Sequence, residues 1–189
     1  MRRASAYRYF LCFIPDAAIR EAIAVLLRET HQAGKCVPVE RSHLSLFVFG
    51  VVAQRDPTLA LRVDAALAGM EVASCILRFG RVRGGPNGAA LFTSGGRREL
   101  AALRRCVLAR LAEHGLVPKL EKRNPHVTLG YDPFRRPGFN IALEWVPREI
   151  VLIESEHGLG KHNRLGSWPL LPPEQGMLPL GGPLGDLQR

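Results

Sequence analysis

Arg41-Ser42-His43-Leu44-Ser45-Leu46 and, 83 residues further on, Asn124-Pro125-His126-Val127-Thr128-Leu129 repeat one pattern: histidine, apolar residue, hydroxyl residue, leucine. The alternation reads as a strand in each case, and side chains two apart on a strand share a face. His43 is therefore placed with Ser45, and His126 with Thr128. Leu44, Leu46, Val127 and Leu129 turn to a core behind them. One such triplet alone would as readily be a hydrogen-bonded structural histidine. The chain has only 6 histidines in 189 residues, so two triplets with apolar residues at the intervening positions read as a site.

Around these strands the pattern is mixed. Tyr7 to Ile14 reads as a strand that ends at Pro15-Asp16, and Ala17 to His31 as a helix with Ile19, Ile23, Leu26 and Leu27 on one face. Arg41 to Gly50 is a second strand and Pro57 to Gly69 a shorter helix. Glu71 to Val82 and Ala89 to Ser94 read as strands joined through Gly84-Gly85-Pro86-Asn87-Gly88, whose Asn-Gly is a hairpin signal. Arg97 to His114 is the most regular helix. Leu100, Leu103, Val107, Leu108 and Leu111 form its apolar face, and Arg97, Arg98, Arg104, Arg105 and Arg110 read as a solvated one. His126 to Tyr131, Glu149 to Glu156 and Asn163 to Trp168 complete the strands. The order is that of an α+β domain, and a helix leads into each histidine strand, which hints at duplication. A domain over residues 1–170 is expected, with 171–189, rich in Pro, Gly and Leu, as a flexible tail.

Composition narrows the classes. With 47% hydrophobic and 23% charged residues, the chain can bury a core and is neither fibrous nor wholly disordered. No apolar run reaches the roughly 20 residues that span a bilayer, and the basic start lacks a cleavage site, so a cytoplasmic protein away from membranes is expected. Cys12, Cys36, Cys75 and Cys106 stand singly, which disfavours a zinc site or a disulfide framework. The net charge of +9 concentrates over residues 71 to 136, with 13 basic against 5 acidic side chains. It suits an anionic partner such as RNA, although a preference for Arg codons would also produce it.

On the paired His-x-Ser/Thr motifs the sequence resembles the two-histidine phosphoesterase superfamily, specifically its 2'-5' RNA ligase-like RNA 2',3'-cyclic phosphodiesterases. The resemblance runs from about Tyr7 to Leu170. Tyr9-Phe10-Leu11-Cys12-Phe13-Ile14-Pro15 is similar to that family's opening strand, and Ile150 to Leu170 to its final hairpin. It implies a bilobal fold, in which two pseudo-symmetric antiparallel sheets flanked by helices face each other across a cleft. It also implies that His43 protonates the leaving 3'-oxygen, leaving a 2'-phosphate, while His126 activates water.

The residues suit that chemistry. Opening a cyclic phosphodiester in line needs a base on one side of phosphorus and an acid on the other, and imidazoles near their ordinary pKa can serve as either. Ser45 and Thr128 can donate to the non-bridging oxygens. No cluster with metal-ligand spacing stands out, so neither metal nor other cofactor is expected, and the chain is expected to act as a monomer. Two departures touch the substrate. Ser45 stands where the family more often has Thr, and Tyr131 where it often has Arg. Arg123, Arg135 or Arg136 would substitute for that cation or remain loop charges, and Phe47 would stack on a base or, more simply, pack in the core. The expected reaction is hydrolysis of a terminal 2',3'-cyclic phosphate on RNA, with 2'-5' ligation as its reverse. The alternatives are a phosphodiesterase for a small cyclic nucleotide or nucleotide-sugar cyclic phosphate, and a non-catalytic RNA-binding module.

Overall fold

In a computed structural model that describes residues 6–30, 36–86, 88–120, 124–133, 137–156 and 161–173, the first unit is strand, helix, strand. Strand β1 (Tyr7–Phe13) buries Tyr9, Leu11 and Phe13 on one face and Phe10 and Cys12 on the other. Asp16 then starts a helix, its Oδ1 accepting the Ile19 amide at 3.0 Å and satisfying a donor that a helix N-terminus leaves open. Helix α1 (Ala17–Thr30) buries Ile19, Ile23 and Leu26, and β2 (Leu44–Val52) carries the first motif. Asp56 repeats the capping device for α2 (Leu59–Leu67), where its Oδ1 accepts the Thr58 and Leu59 amides at 2.9 and 3.1 Å.

A hairpin of β3 (Leu77–Gly85) and β4 (Gly88–Gly95) opens the second unit, and α3 (Arg97–Glu113) buries Leu100, Leu103, Val107 and Leu111. Then come β5 (Lys119–Leu120), β6 (His126–Gly130), β7 (Phe139–Trp145), β8 (Glu149–Glu156) and β9 (Lys161–Pro169).

The strands form one nine-stranded antiparallel sheet in the order β7-β3-β4-β6-β2-β1-β8-β9, with β5 paired to β2. The order is a palindrome about its centre. A pseudo-dyad between β6 and β2 exchanges β4 with β1, β3 with β8 and β7 with β9, and it maps β4-α3-β6 on β1-α1-β2. The expected two sheets are thus the halves of one, joined at the centre by the pairing of Leu44 with Val127. Ile23 of α1, Val63 of α2 and Val107 of α3 share one core with Leu11, Leu44, Leu91 and Val127. Among the described residues, the opposite face carries a small apolar cluster of Phe10, Cys12, Val151 and Ile153.

Three details depart from the sequence reading. Residues 71–76 precede β3 instead of extending it: Ala73 makes an isolated bridge to Leu171, and Val72 and Cys75 pack into the core. Strand β7 was not anticipated. The chain stays paired at Leu171, whose amide donates to the Val72 carbonyl at 2.9 Å; residues 174–189 lie outside the described ones.

Candidate active site

Leu44 and Val127, both fully buried, are partners in the antiparallel register and point to the helices. Their neighbours in sequence must point the other way. The register brings His43 toward Thr128 and Ser45 toward His126, so that each histidine stands beside the other strand's hydroxyl. All four line one cleft of about 300 Å3, together with Arg8, Arg104, Asn124, Pro125 and Tyr131. The two motifs make a single site because their strands are neighbours.

The two rings are held in the same way. His43 Nδ1 lies 2.8 Å from the Arg41 carbonyl oxygen, and His126 Nδ1 lies 2.8 Å from the Asn124 carbonyl oxygen, two residues back in each case. A carbonyl oxygen can only accept, so each Nδ1 carries a proton and donates it. Nε2 of each ring is left for a proton to come or go. Neither role is written into the tautomer, since Nε2 is a base in the neutral ring and an acid in the imidazolium.

The surroundings of the two rings differ. Phe10 lies against His43 at 4.9 Å between centroids, and His162 of β9 meets the His43 ring edge to face at 5.5 Å. Burial lowers the His43 pKa, opposed by its bond to the Arg41 carbonyl and assisted by the charges of Arg8, His126 and Arg41. His162 is pushed down to about 4, by burial first and then by His43 and Arg41. In the free protein His43 is therefore held toward its neutral form. His126, half-buried, packs beside Phe92 at 5.5 Å between ring centroids.

The substrate-binding expectations divide. Tyr131 lines the cleft and is 63% exposed, so it forms part of the rim. Phe47 does not face the cleft: it is fully buried in the helix-side core. Cys12 pairs with Ser45 and Leu11 with Phe47, which leaves Leu46 as an extra residue, and this bulge turns Leu46 and Phe47 to the same side. Arg123, Arg135 and Arg136 lie outside the described residues.

Two cations at the cleft were not singled out from the sequence. Arg8, whose guanidinium lies 5.9 Å from the Phe10 ring centroid, comes from β1, two residues before Phe10 on the same face. Arg104 comes from α3, and its Nη2 donates to the Ser45 carbonyl at 3.0 Å. Arg8 could have been found as the charge that interrupts an apolar strand at a position in phase with Phe10 and Cys12. Arg104 offered no such signal, because nothing local distinguishes it from its neighbours on the helix. Among the described residues no three His, Cys, Asp or Glu side chains converge as metal ligands would, and no helix is long and apolar enough to cross a membrane.

The sequence profile of the 2'-5' RNA ligase superfamily matches residues 15–153, a span that includes both motifs. No curated protein matches the sequence. Among solved structures, E. coli LigT complexed with 3'-AMP superposes with a TM-score of 0.69 at 19% identity, over 88% of this chain and 98% of LigT. TT0787 of Thermus thermophilus gives 0.67 at 22% identity over 86% and 97%. A crystal structure titled only as a phosphoesterase gives 0.65 at 24% identity, over 86% of this chain and 97% of its own. Likeness at these identities is one of fold.

Proposed function

Because the chain belongs to the 2'-5' RNA ligase superfamily, we propose that it opens 2',3'-cyclic phosphates at RNA ends to 2'-phosphates by acid-base catalysis between His43 and His126, without a metal. The observation that carries this reading is the matched pair of Nδ1 bonds at 2.8 Å, which leave an Nε2 on each of two rings that line one cleft.

In the direction that the family resemblance implies, His126 Nε2 takes a proton from water as its oxygen attacks phosphorus. The P–O3' bond breaks, and His43 Nε2–H gives a proton to O3', leaving a 2'-phosphate monoester. Ser45 and Thr128 donate to the non-bridging oxygens, and Arg8 and Arg104 supply positive charge to the cleft where the family's usual arginine is replaced by Tyr131. Burial of His43 opposes the imidazolium this direction needs, so the anionic substrate has to restore it on binding. Reversal, with a ribose 5'-hydroxyl in place of water, would form a 2'-5' linkage without ATP. That E. coli LigT was crystallised with 3'-AMP, ATP and NADP+ supports a ligand of nucleotide kind for this fold.

The test is incubation of the purified protein with an oligoribonucleotide ending in a 2',3'-cyclic phosphate, in the presence of EDTA. A 2'-phosphate product, abolished in His43→Ala and His126→Ala, is expected. An inert wild type, or full activity in both variants, overturns the proposal. Turnover of mononucleotide cyclic phosphates alone would favour a small-molecule phosphodiesterase, and salt-sensitive RNA binding indifferent to both histidines would favour a binding module.

A further inference from the structure

Next to the catalytic cleft, helix α3 bounds a second hollow of about 290 Å3. Leu100, Ala101, Leu108 and Pro125 give it apolar walls, and Arg97, Arg104 and Arg105 complete its lining. Arg104 and Pro125 line the catalytic cleft as well, so the two hollows adjoin. Its size is close to the lower limit for small-ligand sites.

The charge around the two hollows is one-sided. Among the described residues, no Asp or Glu lines either of them. The acidic residues of α3 lie elsewhere: Glu99 lines a different cavity, and Glu113 pairs with Arg110 at 3.9 Å. Leu108, one of the apolar-face residues expected in the core, is only half-buried: it packs against the edge of the core and lines this groove as well. Apolar surface beside guanidinium groups is what an unstacked nucleotide needs, a face for its base and cations for its phosphate.

We propose that this groove holds the next nucleotide of a single-stranded RNA, on the 5' side of the end whose phosphate sits between His43 and His126. The inference rests on the reaction proposed above and adds that the enzyme selects strands over mononucleotides. Arg104 joins the two subsites, with one donor already fixed on the Ser45 carbonyl.

Fluorescence anisotropy and calorimetry with product ligands test this without turnover. The wild type should bind a tetranucleotide ending in a 2'-phosphate about tenfold more tightly than the corresponding nucleoside 2'-phosphate. Ala101→Glu and, independently, the exposed Arg105→Glu should remove most of that advantage and leave mononucleotide affinity unchanged. Equal wild-type affinity for the two ligands overturns the groove, as does a length advantage that survives both variants, or an equal loss for both ligands. A wild type that opens cyclic ends without length preference overturns the groove alone. One that binds with the expected preference but turns nothing over overturns the reaction and leaves the groove standing.

Discussion

Leu44 and Val127 face each other across the seam between β2 and β6, and the residue immediately before each of them is a histidine. The geometry of the site therefore depends on a packed apolar pair that never touches substrate. Removing side-chain volume from one member should cost both stability and alignment. Leu44→Ala is expected to lower unfolding free energy by about 2–5 kcal/mol, as for other large-to-small core substitutions. It should also depress kcat at temperatures where the protein is still folded. Urea denaturation read beside kinetics checks this; an unchanged midpoint would mean that the seam is not packed as described.

The hydroxyls make a sharper chemical prediction. If Ser45 and Thr128 hold charge that grows on the phosphate oxygens, Ser45→Ala and Thr128→Val should each lower kcat by about 10²-fold, the scale of a lost oxyanion donor. Ser45→Thr should stay close to wild type, since it keeps the donor. Equal losses in Ser45→Thr and Ser45→Ala would point to steric fit instead of hydrogen bonding.

How much of this was legible before the structure depended on distance along the chain. The period of two within each motif fixed which face His43, Ser45, His126 and Thr128 would occupy, because that information lies within three residues. Phe47 escaped the same rule because Leu46 is an extra residue opposite β1, and a bulge of one residue reverses everything after it. Strand β7 carries a plain alternation of Phe139, Ile141, Leu143 and Trp145, but Pro137-Gly138 before it and Pro147 after it make so short a run read as loop. Arg104 was out of reach. Its position at Ser45 depends on where α3 crosses the ends of strands far away in sequence, and helical periodicity cannot report that.

At Gly88 the backbone has φ of 120°, and an added Cβ would run into the Gly130 carbonyl oxygen. That carbonyl belongs to the end of β6, immediately before Tyr131 of the cleft. Gly88→Ala is therefore expected to destabilise by about 1–3 kcal/mol and to shift the Tyr131 wall. A raised KM with kcat largely kept would be its kinetic signature, and a thermal melt at wild-type Tm would contradict it.

In the proposed reaction, the protonation state of His43 sets which way the proton transfers run. Burial lowers its pKa, so its ring should titrate below 6.5 in the free protein. A bound phosphate anion should move it upward, since opposite charge favours the imidazolium. Histidine NMR with and without a nucleoside 2'-phosphate reads both values. A strong upward shift supports His43 as the acid. If His43 stays low when the anion is bound, the roles exchange, with His43 taking the proton from water and His126 protonating the leaving oxygen.

The same burial has a cost in acid. A histidine whose folded pKa lies below its unfolded value binds fewer protons when folded, so stability is complete above the unfolded pKa and falls as pH drops. For His162 the window runs from 6.5 down to about 4, and His43, lowered by burial as well, adds to the loss below 6.5. His162→Phe keeps an aromatic edge against His43 and removes one titration. It is expected to unfold at lower pH than wild type, with the gain appearing only below about 6.5. Equal stabilisation at pH 8 and pH 5 would mean that packing, and not protonation, made the difference.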